Sequence, residues 1–222
     1  MSLAEYEALM NRAEELRVKK YDISGAIDLY LQAYGLADLE GYDLLAPSQM
    51  LGVCYRLVGD YRKSLIYLGI AVDRAMSLDR LGNVYRDMGA TYNAMQDYDQ
   101  ALYWLDESLK ILGDGSHIVE YGATLGFVAR VYQDMGDSRL AKEYFVKAHN
   151  NLSAGSNKEV DLYNELHFAS FMSSCHKPIK SRKIATRALW LSMRHGANAH
   201  RVRALALLIG GYRLENYLRN LK

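Results

Sequence analysis

Apolar residues along this chain recur at three- and four-residue spacing, and short turn signals interrupt the pattern at regular distances. One such signal, Gly59-Asp60, separates two stretches with helical periodicity. We expect the first helix to end near Val58 and the second to begin near Tyr61. Because similar Gly-Asp or Gln-Asp turns return along the sequence, each interval between them predicts a pair of helices, here called helix A and helix B.

A small residue near the start of helix B sets the register of the repeat. In the clearest copy Ser64 follows Tyr55 by nine positions, and the third copy keeps this interval only if its tyrosine is Tyr92 rather than Tyr85. The aligned small residues are Ala26, Ser64, Ala101, Ala141 and Ala185. Their intervals of 38, 37, 40 and 44 residues predict a stacked helical array.

Small residues also recur in helix A, where they would let the two backbones of a pair approach closely. We expect Gly52 and Gly89 to lie at such contacts, with large residues such as Leu68 and Leu105 filling the space around them. A single pair cannot bury its apolar face alone, so stability should come from stacking of neighbouring pairs.

The order of these residues resembles the tetratricopeptide repeat. The leucine-glycine, tyrosine, small, large, small pattern of the family maps onto Leu51, Gly52, Tyr55, Ser64, Leu68 and Ala71, and onto Met88, Gly89, Tyr92, Ala101, Leu105 and Ser108. The resemblance covers residues 4–195 and is strongest over 45–150. It departs from the family in lacking the closing proline and in exceeding the usual length of about 34 residues.

The resemblance implies an all-α fold, a right-handed superhelical solenoid of antiparallel helix pairs. We expect about five pairs in residues 1–197 and a capping helix in residues 198–222, where the chain could equally begin a further repeat or domain. Long-repeat members of this kind look like the sensor and scaffold arrays of regulatory systems.

Composition limits where such an array would work. The longest apolar run, Ala204–Ile209, is too short to span a bilayer, and residues 1–10 lack a cationic stretch before an apolar core. The chain has two cysteines, far apart in the sequence. These features favour a cytoplasmic protein with reduced thiols and no membrane partner.

Charge is divided unevenly along the chain. Residues 176–222 hold 11 Lys and Arg against one Glu, whereas residues 1–175 hold 16 basic and 25 acidic residues. The basic end could complement the acidic array within the molecule or in a second copy, giving a homodimer through the C-terminal helix, or it could bind an acidic protein. Nucleic acid is disfavoured because few aromatic residues other than Trp190 are interleaved with the charges.

No catalytic motif is present. The sequence lacks a G-x-x-x-x-G-K-[ST] phosphate loop, an H-E-x-x-H motif and paired C-x-x-C motifs. Residues 113–116 are interpreted as a turn between pairs. His167, Cys175 and His176 fit no standard zinc spacing. We therefore predict a protein that is not an enzyme and needs no cofactor or metal.

The family resemblance implies that helix A of each pair lines a concave groove. Applied position by position, it selects polar and apolar side chains of three consecutive pairs as the partner-binding residues: Gln49, Val53, Arg56, Asn83, Arg86, Asn93, Arg130 and Gln133. The carboxylate clamp of chaperone-binding members is absent. We expect a non-catalytic scaffold that binds a peptide or helical segment in this groove, with an acidic segment as one candidate partner. The alternative is a ligand- or peptide-responsive sensor array that controls an attached or bound output module.

Overall fold

The computed structural model describes residues 3–113, 117–154, 158–175 and 178–195, together with 204, 205, 207 and 208. Within these residues the secondary structure is helical, without strands. Up to residue 195 the described residues form ten α-helices: α1 (Leu3–Glu15), α2 (Ile23–Glu40), α3 (Leu45–Leu57), α4 (Tyr61–Arg74), α5 (Leu78–Ala94), α6 (Tyr98–Leu112), α7 (Ile118–Asp134), α8 (Ser138–Ala154), α9 (Lys158–Ser174) and α10 (Pro178–His195). A π-helical turn, Leu16–Lys20, continues α1.

The helices pack as five consecutive pairs, with odd-numbered helices as helix A and even-numbered helices as helix B. The chain divides into two compact units, unit 1 over Met1–Asp114 and unit 2 over Gly115–Lys222. Unit 1 contains three of the pairs and unit 2 contains two. The predicted five pairs are confirmed, and α3 and α4 end and begin within one residue of the expected positions. Most of the expected capping helix, residues 198–222, lies outside the described residues.

The predicted register is also confirmed. Each of the five aligned small residues is fully buried. A Cβ atom at Gly52 would lie 2.6 Å from Leu68 Cγ, and one at Gly89 would lie 2.6 Å from Leu105 Cγ. Glycine is therefore required at both positions because helix B leaves no room for a side chain on helix A.

Aspartate begins helix B in four of the pairs. The carboxylates of Asp22, Asp60 and Asp97 accept hydrogen bonds from backbone N–H groups three residues ahead, at 2.8, 3.1 and 3.2 Å. Asp137 does the same toward Leu140, at 2.9 Å. These bonds satisfy donors that have no partner inside the helix. The turn dipeptides of the sequence are thus helix caps.

Aromatic side chains fill the space between the two helices of a pair. The ring of Tyr55 stacks on that of Tyr67 with centroids 5.5 Å apart, and Tyr132 stacks on Tyr144 at 5.4 Å. In both cases the partner lies twelve residues later in the sequence. None of the described helices is both long and apolar enough to cross a membrane.

Candidate functional site

The predicted site residues lie on helices A of two units. We call the side of each unit formed by its helices A the helix-A face. Six of the eight residues lie on α3 and α5 in unit 1, and Arg130 and Gln133 lie on α7 in unit 2. All eight side chains are half-buried. The structure therefore places Gln49, Val53 and Arg56 on α3 and Asn83, Arg86 and Asn93 on α5, and these two helices contact each other.

Arg86 is held in place on the helix-A face of unit 1. Its Nη1 donates a hydrogen bond of 2.7 Å to Asn83 Oδ1, three residues earlier on α5. Its Nη2 lies 3.9 Å from Asp87 Oδ1, and the Arg86 side chain is 18% exposed. A guanidinium oriented in this way is preorganised, because less side-chain freedom is lost when a partner binds.

Asp87 is a site residue that the sequence analysis did not select. It is 5% exposed, and its Oδ2 accepts a 2.7 Å hydrogen bond from Gln49 Nε2 on α3. Asp87 thus connects the helices A of two successive pairs. The available signal was its spacing of four residues from Asn83, which places both residues on one side of α5.

Buried hydroxyl groups connect this part of α5 to the neighbouring helix α4. Thr91 Oγ1 donates a 2.9 Å hydrogen bond to the backbone oxygen of Asp87. The hydroxyl of Ser64, on α4, lies 3.0 Å from that of Thr91. Helix B of one pair is therefore linked through Thr91 to the turn of α5 that carries Arg86 and Asp87.

The charges on this face suit recognition rather than covalent chemistry. Two arginines, Arg56 and Arg86, accompany one buried carboxylate, Asp87. The nearby thiol of Cys54 is fully buried, and its desolvation raises its pKa to about 11. A thiol with so high a pKa is a poor nucleophile at neutral pH. The described residues include no group of three His, Cys, Asp or Glu side chains placed to hold a metal ion.

The helix-A face of unit 2 is built differently. The guanidinium carbon of Arg130 lies 5.6 Å from the ring centroid of Phe127, one turn away on α7. Gly126, on the same helix, lies against the carboxamide of Asn164 from α9. Asn164 is buried, so α9 covers this part of α7. Arg130 and Gln133, closer to the end of α7, remain half-buried.

Comparison with known proteins agrees with this geometry. Residues 80–154 match the family model described as Tetratricopeptide repeat. No curated protein matches the sequence significantly. Among solved structures, NprR in complex with its cognate peptide NprX is 15% identical with a TM-score of 0.76, covering 96% of this chain and 64% of that chain.

Two further structures share the fold. A Rap protein complexed with competence and sporulation factor is 15% identical with a TM-score of 0.79, covering 98% of this chain and 64% of that chain. A putative kinesin light chain with nearly identical TPR-like repeats, from Podosopora anserina, is 12% identical with a TM-score of 0.58, covering 88% of this chain and 99% of that one. The chain thus spans about 64% of the NprR and Rap structures. Residues 80–154 of this protein are tetratricopeptide repeats, and the described helix pairs before and after them have a tetratricopeptide-like fold.

Proposed function

We propose that this protein is a non-catalytic interaction scaffold whose helix-A face binds a peptide or helical segment of another protein. The observation that carries the proposal is the arrangement around Arg86, which Asn83 and Asp87 hold on a half-buried face. An ordinary solvated arginine would not need two neighbours to fix it. A fixed guanidinium is suited to a carboxylate, which it can bind through two hydrogen bonds.

The other residues of this face suit an extended chain. Gln49, Asn83 and Asn93 carry carboxamide groups, which can donate to and accept from a peptide backbone. α3 and α5 together carry Arg56, Arg80 and Arg86 against Asp79 and Asp87, so a segment with acidic character is the better complement. The NprR structure, which contains its cognate peptide NprX, supports this proposal through the shared fold.

The second candidate function is a sensor array that controls an attached or bound output module. It is favoured because one structure with the same fold is described as a quorum sensor, the apo form of NprR from B. thuringiensis, of which this chain covers 62%. Small-angle X-ray scattering with and without a bound peptide separates the two functions. A change in the radius of gyration on binding supports the sensor, and an unchanged radius supports the scaffold.

A selection from random phage-displayed peptides tests the proposed site. The affinity of a selected peptide is measured by isothermal titration calorimetry for the natural protein, for Arg86→Glu and for Arg62→Glu. Arg62 is exposed on α4, a helix B of the same unit, so its reversal changes net charge equally. We expect Arg86→Glu to weaken binding about tenfold or more, because it replaces attraction with repulsion at a half-buried position. Equal affinities for the two variants would place the site elsewhere.

We also propose a cytoplasmic location and association of two copies through the C-terminal residues 198–222. Both cysteines of the chain are free thiols in the structure, which is consistent with a reducing compartment. Residues 198–222 hold five basic residues and one acidic residue, whereas residues 1–175 are net acidic, and this complementarity supports the association. Light scattering at low and high salt tests it.

A further inference from the structure

The two compact units carry opposite charge. Residues 1–114 contain 11 basic and 18 acidic residues, a net charge of −7, whereas residues 115–222 contain 16 basic and eight acidic residues, a net charge of +8. Residues 115–175 contain five basic and seven acidic residues, so the excess positive charge of unit 2 comes from residues 176–222. A folded unit with this imbalance can present a basic surface to a partner.

All exposed basic side chains that the structure describes in unit 2 lie on its helices B, α8 and α10. We call the exposed basic side chains of these two helices the basic B-face: Arg139, Lys142, Lys147, Lys180, Arg182, Lys183 and Arg187. Among the described side chains of α8 and α10, Glu143 is the one exposed carboxylate, and it is engaged by Lys147 at 2.8 Å. The sequence of α10 contains no acidic residue at all.

Packing determines which side of α10 faces outward. Ala185 and Ala188 are fully buried against Leu166 and Ala169 of α9. The hydroxyl of Ser181 donates a 2.9 Å hydrogen bond to the backbone oxygen of Ala169. The lysines and arginines therefore occupy the remaining, exposed side of the helix.

A buried carboxylate brings α8 and α10 together. Glu165, on α9, is 4% exposed, and its Oε1 lies 2.9 Å from His149 Nδ1 on α8 and 3.3 Å from Arg187 Nη1 on α10. Because one buried oxygen atom contacts a side chain from each helix, α8 and α10 approach each other at this point. The basic B-face is thus one surface of unit 2 rather than two separate helices.

We propose that the basic B-face docks an acidic surface of another protein, such as a helix with a row of Glu or Asp side chains. Lys180, Lys183 and Arg187 follow each other at three- and four-residue spacing, which places them in a row along α10. A row of carboxylates on a facing helix has the same spacing. This surface lies on helices B, so the interaction is separate from the proposed peptide site on helices A.

Apolar side chains on the same surface favour a protein over a nucleic acid. Trp190 is 54% exposed, Met193 is 60% exposed, and Val146 on α8 is also exposed. Protein–protein interfaces are enriched in Trp, Met and Arg, whereas interfaces with nucleic acid are more polar. A membrane surface is the weaker match because the apolar side of α10 is already buried within the unit.

A second copy of this chain is also a weaker complement for the basic B-face. The helices B of unit 1 do not form a continuous acidic surface. α4 carries Arg62, Lys63 and Arg74, all exposed, between α2 and α6. An approaching basic B-face would meet these like charges.

Fluorescence polarisation with labelled probes tests the proposal. The probes are a helical peptide with Glu at every third or fourth position, a peptide of the same composition in scrambled order, a DNA duplex, and vesicles containing phosphatidylserine added as competitor. We expect the patterned peptide to bind tightest and Lys180→Glu/Lys183→Glu to weaken it by on the order of tenfold. The matched control is Arg62→Glu/Arg74→Glu, which changes net charge equally on α4 and should leave the affinity within about twofold.

A tryptophan signal locates the contact independently. The chain has two tryptophans, and Trp104→Phe leaves Trp190 as the single reporter. This change removes no hydrogen bond seen among the described residues, since the Trp104 indole nitrogen has no acceptor there. We expect the emission of Trp190 to shift to shorter wavelength when the patterned peptide binds.

Several results would overturn the proposal. Equal weakening by the two double variants would show attraction to net charge alone, and an unmoved Trp190 emission would place the peptide elsewhere. Tighter binding of DNA or vesicles than of the patterned peptide would assign the surface to nucleic acid or membrane. A dimer that Lys180→Glu/Lys183→Glu dissociates would assign it to a second copy. Because the compared variants and the Trp190 reporter all lie on helices B, failure here leaves the proposed function standing.

Discussion

A left-handed backbone conformation occurs at the turn within four of the described helix pairs, and only two of these positions are glycine. Gly59 and Gly136 have φ values of +84° and +85°, whereas Gln96 and Tyr21 have φ values of +64° and +58°. A side chain in this region costs roughly 1 kcal/mol or more. We expect Gln96→Gly to raise the free energy of unfolding by about 1 kcal/mol in urea denaturation, since glycine removes that cost. Gly59→Gln is the reverse exchange and should lower it; an increase there would contradict the account.

Glycines inside helices differ in whether a side chain could fit. A Cβ at Gly89 would lie 2.6 Å from Leu105 Cγ and 3.0 Å from the Ala101 backbone oxygen, whereas a Cβ at Gly35 would meet nothing within 4 Å. We expect Gly89→Leu to lower the free energy of unfolding by about 1–3 kcal/mol through overpacking. Gly35→Ala should raise it by about 0.5–1 kcal/mol because alanine favours helix. Thermal unfolding of both variants checks the register, and an unchanged melting temperature for Gly89→Leu would show that α5 can shift.

At single residues, the sequence predicted burial correctly where burial follows from a local or periodic pattern. Ser64 and Ala101 could be predicted as buried because a small residue recurs at a fixed interval from tyrosine. The role of Asp87 could not, because it depends on Gln49, which lies 38 positions away on another pair. The pattern of residues along α7 likewise does not show that Asn164 of α9 lies against Gly126. Such contacts depend on how neighbouring helix pairs stack. The spacing of residues along one helix does not specify that stacking.

At the scale of the element, an aspartate cap determines where helix B begins. Asp97 accepts the backbone N–H of Gln100, and Asp99 follows two residues later on the exposed side of α6. We expect Asp97→Ala to cost about 1 kcal/mol of unfolding free energy, because a helix-terminal N–H loses its acceptor. Asp99→Ala removes the same charge without removing the cap and should cost less. Equal losses in chemical denaturation would attribute the effect to charge near the helix terminus alone.

Carboxylates that contact a lysine, among them the cap residue Asp60, make the stability of the protein depend on pH. The backbone N–H of Lys63, followed by its ammonium group, holds the pKa of Asp60 below its ordinary value. Lys147 likewise lowers the pKa of Glu143. A carboxyl whose pKa is lowered in the folded state contributes stability above its unfolded pKa, near 4, and loses it as the pH falls through the folded value. We expect the melting temperature to fall below about pH 4, and to fall less in Asp60→Asn, which keeps a cap but cannot titrate. Superimposable pH profiles for the two proteins would show that Asp60 makes no such contribution.

At the scale of the whole molecule, sequence reasoning found five pairs and a basic segment over residues 176–222. The structure divides the chain at residue 114, and the two units carry net charges of −7 and +8. Residues 115–175 alone contain five basic and seven acidic residues, so the sequence located the excess positive charge correctly. It did not show that Arg139, Lys142 and Lys147 of α8 share a surface with the basic residues of α10, because that depends on which helices B lie side by side.

The last pair of helices depends on residues that follow it. Ala204 and Leu207 are 0% and 1% exposed and pack with Leu166, Ala185 and Ala188 of α9 and α10. Ending the chain after Ala197 would expose this cluster, so we expect a lower melting temperature and self-association in light scattering. Leu207→Ala keeps length and charge and should by itself cost about 2–5 kcal/mol, because it opens a cavity in a packed core. If the truncated protein melted like the natural one, Ala204 and Leu207 would not be part of the core of unit 2. If the natural protein were a dimer and the truncated one a monomer, residues 198–222 would instead form the contact between two copies.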